Sequence, residues 1–154
     1  VRDVPFALAF DGTRLWVANA GQNNVQAIDP ATGKMDKPIP VDAFPVALAF
    51  DGTRLWVANG LAGSVQAIDP STGVVSKSIP VGSAPSALTF DGTRLWVANG
   101  STNDGSVRAI DPASGRVDAP IQVGTSPAAL AFDGTRLWVA NSGSGTVQSI
   151  VVQR

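Results

Sequence analysis

The side chains able to do chemistry are few and repetitive. The 154 residues contain no His and no Cys, so nucleophilic or acid–base work would fall to Ser, Thr, Lys and Asp. A Ser or Thr nucleophile would need Lys beside it, and the three lysines, Lys34, Lys37 and Lys77, fall in or beside outer strands. All twelve acidic residues are Asp, most of them in Asp-Gly and Asp-Pro turns, and no carboxylate pair stands apart from these. No D-x-D-x-D-G calcium loop, glycine-rich phosphate loop or haem motif is written. The expectation is no catalytic residue, no cofactor, no metal and no enzyme activity.

What recurs instead is FDGTRLWVAN, unchanged at 10–19, 50–59, 90–99 and 132–141. Its Trp16, Trp56, Trp96 and Trp138 could be aromatic platforms for sugars, but each lies mid-strand between Leu and Val, where packing between repeats is the stronger reading. Arg14, Arg54, Arg94 and Arg136 follow the Asp-Gly turns and place charges of both signs around one rim, where local pairing outweighs a collective anion site. Asn19, Asn59, Asn99 and Asn141 end the segment, and a terminal amide there satisfies loop backbone or meets a ligand.

Composition limits the partners. The formal charge is −1 and the Lys and Arg are dispersed, so the footprint of a nucleic-acid or anionic-membrane binder is missing. No apolar run approaches the roughly 20 residues of a membrane-spanning helix. Lack of Cys excludes disulfides and thiolate sites and leaves the compartment open. A start at Val1 fits a processed protein or a piece of a longer one.

The elements that position these residues follow from the period. The Asp-Gly turns at Asp11, Asp51, Asp91 and Asp133 mark a repeat of about 40 residues. In one unit, strands are expected at 47–50, 53–59, 64–69 and 74–81 (A to D), with a two-residue hairpin at Asp51-Gly52 and a turn at Asp69-Pro70-Ser71-Thr72-Gly73. Strand B alternates Leu55 and Val57 with Trp56 and Ala58, so both faces of the unit are apolar and each sheet needs two neighbours. Radial stacking supplies them. The fold class is all-β, a β-propeller of four-stranded antiparallel blades, with blades at 4–43, 44–83, 84–125 and 126–154, the last without its outer strand.

Units such as PVALAFDGTRLWVANGLAGSVQAIDPSTGVVSKSIPVG resemble the YVTN-type bacterial propeller repeat, which also has small residues on strand A, an aromatic before Val on strand B and an Ile-Asp end to strand C. The resemblance covers essentially the whole chain. It implies a propeller acting as a surface or binding scaffold in a bacterial, extracytoplasmic setting. Related propellers include the streptogramin lyases, which use a catalytic histidine; this chain has none, and that activity is not carried over. Near identity of the blades also fits recent amplification or design of one blade.

Four blades could close alone, belong to a longer propeller, or pair head to tail with a second copy into an eight-bladed ring; the homodimeric ring is the expectation. The repeats diverge in the B–C connections (20–24, 60–64, 100–106, 142–146) while the A–B turns are identical. Alternating chain direction collects B–C and D–A connections on one face, where a protein or carbohydrate ligand is expected. Asn103 and Asp104 in the longest loop, and Asp42 and Phe44 in a D–A connection, are the candidates there, beside the four strand-end asparagines. A multivalent glycan-binding propeller is the alternative.

Overall fold

The protein is described here by a computed structural model covering residues 3–100 and 105–153. Strands β1 (Pro5–Phe10), β2 (Leu15–Asn19), β3 (Asn24–Ile28) and β4 (Ile39–Pro40) form the first blade. The second holds β5 (Pro45–Phe50), β6 (Leu55–Asn59), β7 (Ser64–Ile68) and β8 (Ile79–Pro80), and the third β9 (Pro85–Phe90), β10 (Leu95–Asn99), β11 (Ser106–Ile110) and β12 (Ile121–Gln122). The fourth is a three-stranded sheet of β13 (Pro127–Phe132), β14 (Arg136–Asn141) and β15 (Thr146–Val151). Each is an antiparallel meander, and no helix of the described residues is long and apolar enough to cross a membrane.

Period-two alternation gives every blade an indole face and a leucine face. Trp16 pairs across the ladder with Ala9, and Ala18 with Ala7, so small residues make room for each ring. The indole face of blade 1 (Trp16, Ala18, Val25, Ala27) packs on the leucine face of blade 2 (Leu48, Leu55, Val57, Ile68). Trp56, Ala58, Val65 and Ala67 meet Leu88, Leu95, Val97 and Ile110 in the same way, and Trp96, Ala98, Val107 and Ala109 meet Leu137 and Val139. At the hub β1 packs on β5, β5 on β9 and β9 on β13.

No cluster of buried apolar side chains among the described residues joins blade 4 back to blade 1. The leucine face of blade 1 leaves Phe6, Leu8 and Phe10 57%, 62% and 56% exposed, and the indole face of blade 4 leaves Trp138 37% exposed. The four blades form an open arc.

Two local expectations need correction. The A–B connection is longer than a two-residue hairpin: Phe50 pairs with Leu55, so the loop is 51–54, closed by the Asp51 amide donating to the Arg54 carbonyl at 3.1 Å. The Asp51 side chain accepts from the Thr53 and Arg54 amides and holds the loop open by two residues. Strand D is also shorter. Only Ile79–Pro80 runs as a strand, with an isolated bridge from Val75 to Ile68. Between them Ser76 turns its hydroxyl into the ladder to accept from the Ala67 amide at 2.9 Å, and blades 1 and 3 carry Pro38 and Pro120, which have no N–H to donate. A broken outer strand is a poor template for pairing with other chains.

Candidate functional site

The repeated segment forms one network, built the same way in each blade. In blade 1, Asp11 Oδ1 accepts from the Thr13 and Arg14 amides at 2.8 and 2.7 Å, and its Oδ2 accepts from the Trp16 indole at 2.7 Å. Asp51, Asp91 and Asp133 hold Trp56, Trp96 and Trp138 identically. In Asp11, Asp91 and Asp133 these donors favour the ionised carboxylate. In Asp133 the Trp138 indole, then the Arg136 and Thr135 amides, lower the pKa to about 2. At Asp11 and Asp91 burial pushes the pKa up, but the arginine amide, the indole and the threonine amide outweigh it and leave both carboxyls below their ordinary range.

Among the described residues the arginines do not pair with these turn carboxylates, each of which already accepts three N–H donors. Instead the guanidinium lies over the blade's own indole, 4.8 Å from the ring centroid for Arg14 and Arg54 and 5.0 Å for Arg94. It then reaches the next blade. Arg14 donates to the carbonyl of Pro70 and Arg54 to that of Pro112, both in the C–D turn of the following repeat. Arg94, whose following blade lacks that turn, donates to the Gln153 carbonyl at 3.0 Å. Ion pairs form with carboxylates that precede the outer strands, Arg14 with Asp36 at 3.2 Å and Arg94 with Asp118 at 3.3 Å. Trp16, Trp56 and Trp96 are all but fully buried, so no face of their rings is open to a sugar.

The four asparagines are buried at the ends of β2, β6, β10 and β14. Asn19 donates to Asn24 Oδ1 at 2.9 Å, Asn59 to Ser64 Oγ at 3.3 Å and Asn141 to Thr146 Oγ1 at 3.3 Å, bridging the two ends of the B–C connection. Among the described residues they do not share a cavity. The concave space on the B–C and D–A face, about 470 Å³, is lined instead by Phe6, Phe44, Val46, Leu61, Pro85 and Pro127 among others. Phe44 holds φ +62°, its ring centroid 6.1 Å from that of Phe6 and its carbonyl accepting from the Gly60 amide at 2.7 Å. Asp42 faces elsewhere: its carboxylate accepts from Ser64 Oγ at 2.7 Å and from Ser78 Oγ, tying two outer strands together. Asn103 and Asp104 lie outside the described residues. Lys34, Lys37 and Lys77 are exposed, and no group of three or more Asp among the described residues could hold a metal ion.

One residue escaped the sequence reading. In strand C the column Gln26, Gln66, Gln148 is broken by Arg108 in blade 3. Each glutamine accepts the blade's asparagine amide, at 3.0, 3.2 and 2.7 Å. Gln66 and Gln148 also accept a D–A backbone amide, from Asp42 at 2.9 Å and from Gly124 at 2.7 Å. Arginine cannot accept. Asn99 donates instead to the Val81 carbonyl at 3.0 Å while keeping Ser106 Oγ at 3.3 Å, and Arg108 Nε is left buried without a partner among the described residues. The break in an otherwise regular column is the signal that would have found it.

No protein-family profile and no curated protein sequence matches the chain. Among solved structures it is similar to Kuenenia stuttgartiensis hydrazine synthase, with TM-score 0.88 and 26% identity over 96% of this chain and 46% of that one. It is similar to the computationally designed Ika4 protein, with TM-score 0.85 and 19% identity over 99% and 94% of the two chains. A streptogramin B lyase follows at TM-score 0.73 and 20% identity over 89% and 47%. The chain thus spans about half the length of the hydrazine synthase and lyase chains and nearly all of Ika4. Its sheets, their head-to-tail stacking and these likenesses agree: the chain is an all-β propeller structure of four blades.

Proposed function

We propose that the chain is a non-catalytic propeller scaffold that closes by pairing with a second copy, two arcs making one eight-bladed ring. One observation carries this reading. The two uncovered faces, leucine-type on blade 1 and indole-type on blade 4, are the two halves of the interface already formed three times within the chain. Apolar patches of this kind are unusual on a protein that stays alone. In such a ring Trp138 seats against Leu8 of the second copy, as Trp16 seats against Leu48. Arg136, which among the described residues has no indole stack and no neighbouring carbonyl, meets the Pro30 carbonyl of that copy's C–D turn, the counterpart of Pro70 and Pro112.

Light scattering tests it. The expected mass is twice the 15.7 kDa of one chain, falling to a single chain in Trp138→Asp and in Leu8→Asp. A single-chain mass for the unaltered protein at tens of micromolar would overturn the ring.

The resemblance to YVTN-type repeats supports a bacterial, extracytoplasmic binding role, and the likeness to a designed propeller over nearly its full length supports an amplified or designed blade. The non-enzymatic part rests on the inventory, which lacks the histidine of the lyases it resembles. Saturable sugar binding at several sites per chain would displace this reading in favour of a glycan-binding propeller.

A further inference from the structure

Blade 3 carries a second, independent feature, at the outer edge of the B–C and D–A face. A cavity of about 300 Å³ is lined by Gly82, Ser83, Asn99, Ser106, Arg108, Pro120 and Gln122. The corresponding place in blade 2 is filled by the chain itself. There the Asp42 carboxylate lies between Ser64 Oγ and Ser78 Oγ, and the Asp42 amide donates to Gln66 Oε1 at 2.9 Å. Blade 3 replaces every acceptor of that arrangement. Gly82 stands for Asp42, Arg108 for Gln66 and Pro120 for Ser78, while Ser106 keeps the place of Ser64.

These replacements remove a carboxylate and a neutral acceptor and add a fixed cation. The Gly82 amide has no acceptor among the described residues, although its counterparts at Asp42 and Gly124 each have one. Among the described residues Arg108 Nε is buried without a partner and Arg108 makes no ion pair. Buried donors are seldom left unpaired, because the hydrogen bonds lost with water are not otherwise regained. A guanidinium presents N–H groups in a fork that matches a carboxylate.

We infer that this cavity is a carboxylate-binding site, in which an external carboxylate takes the place that the Asp42 side chain fills in blade 2, accepting from Arg108, Ser106 Oγ and the Gly82 amide. The site belongs to one chain and does not depend on the proposed ring. Its size suits a small carboxylic acid or the acidic end of a peptide, two sources of the same chemistry.

The test is titration of the ¹⁵N-labelled protein with sodium acetate at constant ionic strength, using chloride as the balancing salt. The expected result is a saturable shift of the Gly82 amide and the Arg108 Nε–H, with blades 2 and 4 unmoved. Arg108→Gln restores the residue of the sister blades and should fold as they do. It should weaken acetate binding by about tenfold or more, the usual worth of a hydrogen bond to a charged group. An N-acetylated peptide ending in Asp, titrated in parallel, shows which source binds tighter. The unaltered protein and an Asp104→Asn background should behave alike; release of binding capacity only in the latter would mean that the chain supplies its own carboxylate and would overturn an external ligand. So would equal acetate shifts in Arg108→Gln, absence of any shift, or shifts with phosphate but not acetate.

Discussion

Trp96 and Trp138 are the same residue in the same ten-letter segment, with the same 2.7 Å indole bond to the turn aspartate, yet one is 2% exposed and the other 37%. Their strands pair alike, Trp96 with Thr89 and Trp138 with Ala131 on the inner neighbour. What separates them is the next blade: Trp96 faces Leu137 and Val139, and Trp138 faces no buried cluster among the described residues. Local structure is written inside the repeat, whereas burial depends on what stands beside it. The same holds for the arginines. Arg54 stacks on Trp56 and reaches Pro112, while Arg136, in the fourth blade, does neither among the described residues.

That contrast can be pressed experimentally. The largest effect is expected for Trp56→Ala, which removes a buried indole from the middle of the arc and should cost about 3–5 kcal/mol of unfolding free energy. Trp138→Ala, measured in dilute solution where chains are single, should cost about 1 kcal/mol or less. Equal losses in urea titrations of the two variants would mean that blade 4 is covered as blade 2 is. Next comes Arg54→Ala, which removes the stack on Trp56 and the bond to Pro112. Its side chain is partly exposed, so a loss of about 1 kcal/mol is expected, against no measurable change for Arg136→Ala in the same dilute conditions. At higher concentration Arg136→Ala should lower the dimer fraction seen by light scattering.

The smallest effect concerns acid. A carboxyl whose pKa is lower folded than unfolded adds stability above its ordinary value and loses it as pH falls through the folded value. Asp133 spans 3.8 down to about 2, and Asp11 and Asp91 are shifted in the same direction. The melting temperature should therefore hold above about pH 4 and decline toward pH 2. Asp133→Asn should flatten part of that decline, and an unchanged slope would show that the indole bond is not what holds the carboxylate ionised.

Much of the fold was legible because its determinants are local. Asp-Gly and Asp-Pro turns, period-two strands and the spacing of about 40 residues are written in residue types whose backbone preferences need no tertiary context. The outer strand was overread. VVSKSIPV has strand-like composition, but the Ser76 hydroxyl in place of a backbone partner, and in blades 1 and 3 the prolines at the position of Ser78, break it in the middle. The loop-face candidates were gathered by topology alone, and the structure separates them: Phe44 lines the central concavity, Asp42 ties outer strands, and the asparagines close their own loops. Arg108 was passed over because a single substitution in a repeat looks like drift until its neighbours are seen to have lost their acceptor.

By itself the sequence determined the turns, the alternation that makes both faces of every sheet apolar, and hence the need of each sheet for two neighbours, since these follow from side chains a few residues apart. Only the tertiary structure decided which face meets which, where each arginine finds its carbonyl, and that the arc stops with one indole face and one leucine face uncovered. Those outcomes depend on contacts between residues some 40 to 60 apart, such as Arg14 with Pro70, whose geometry no single repeat contains.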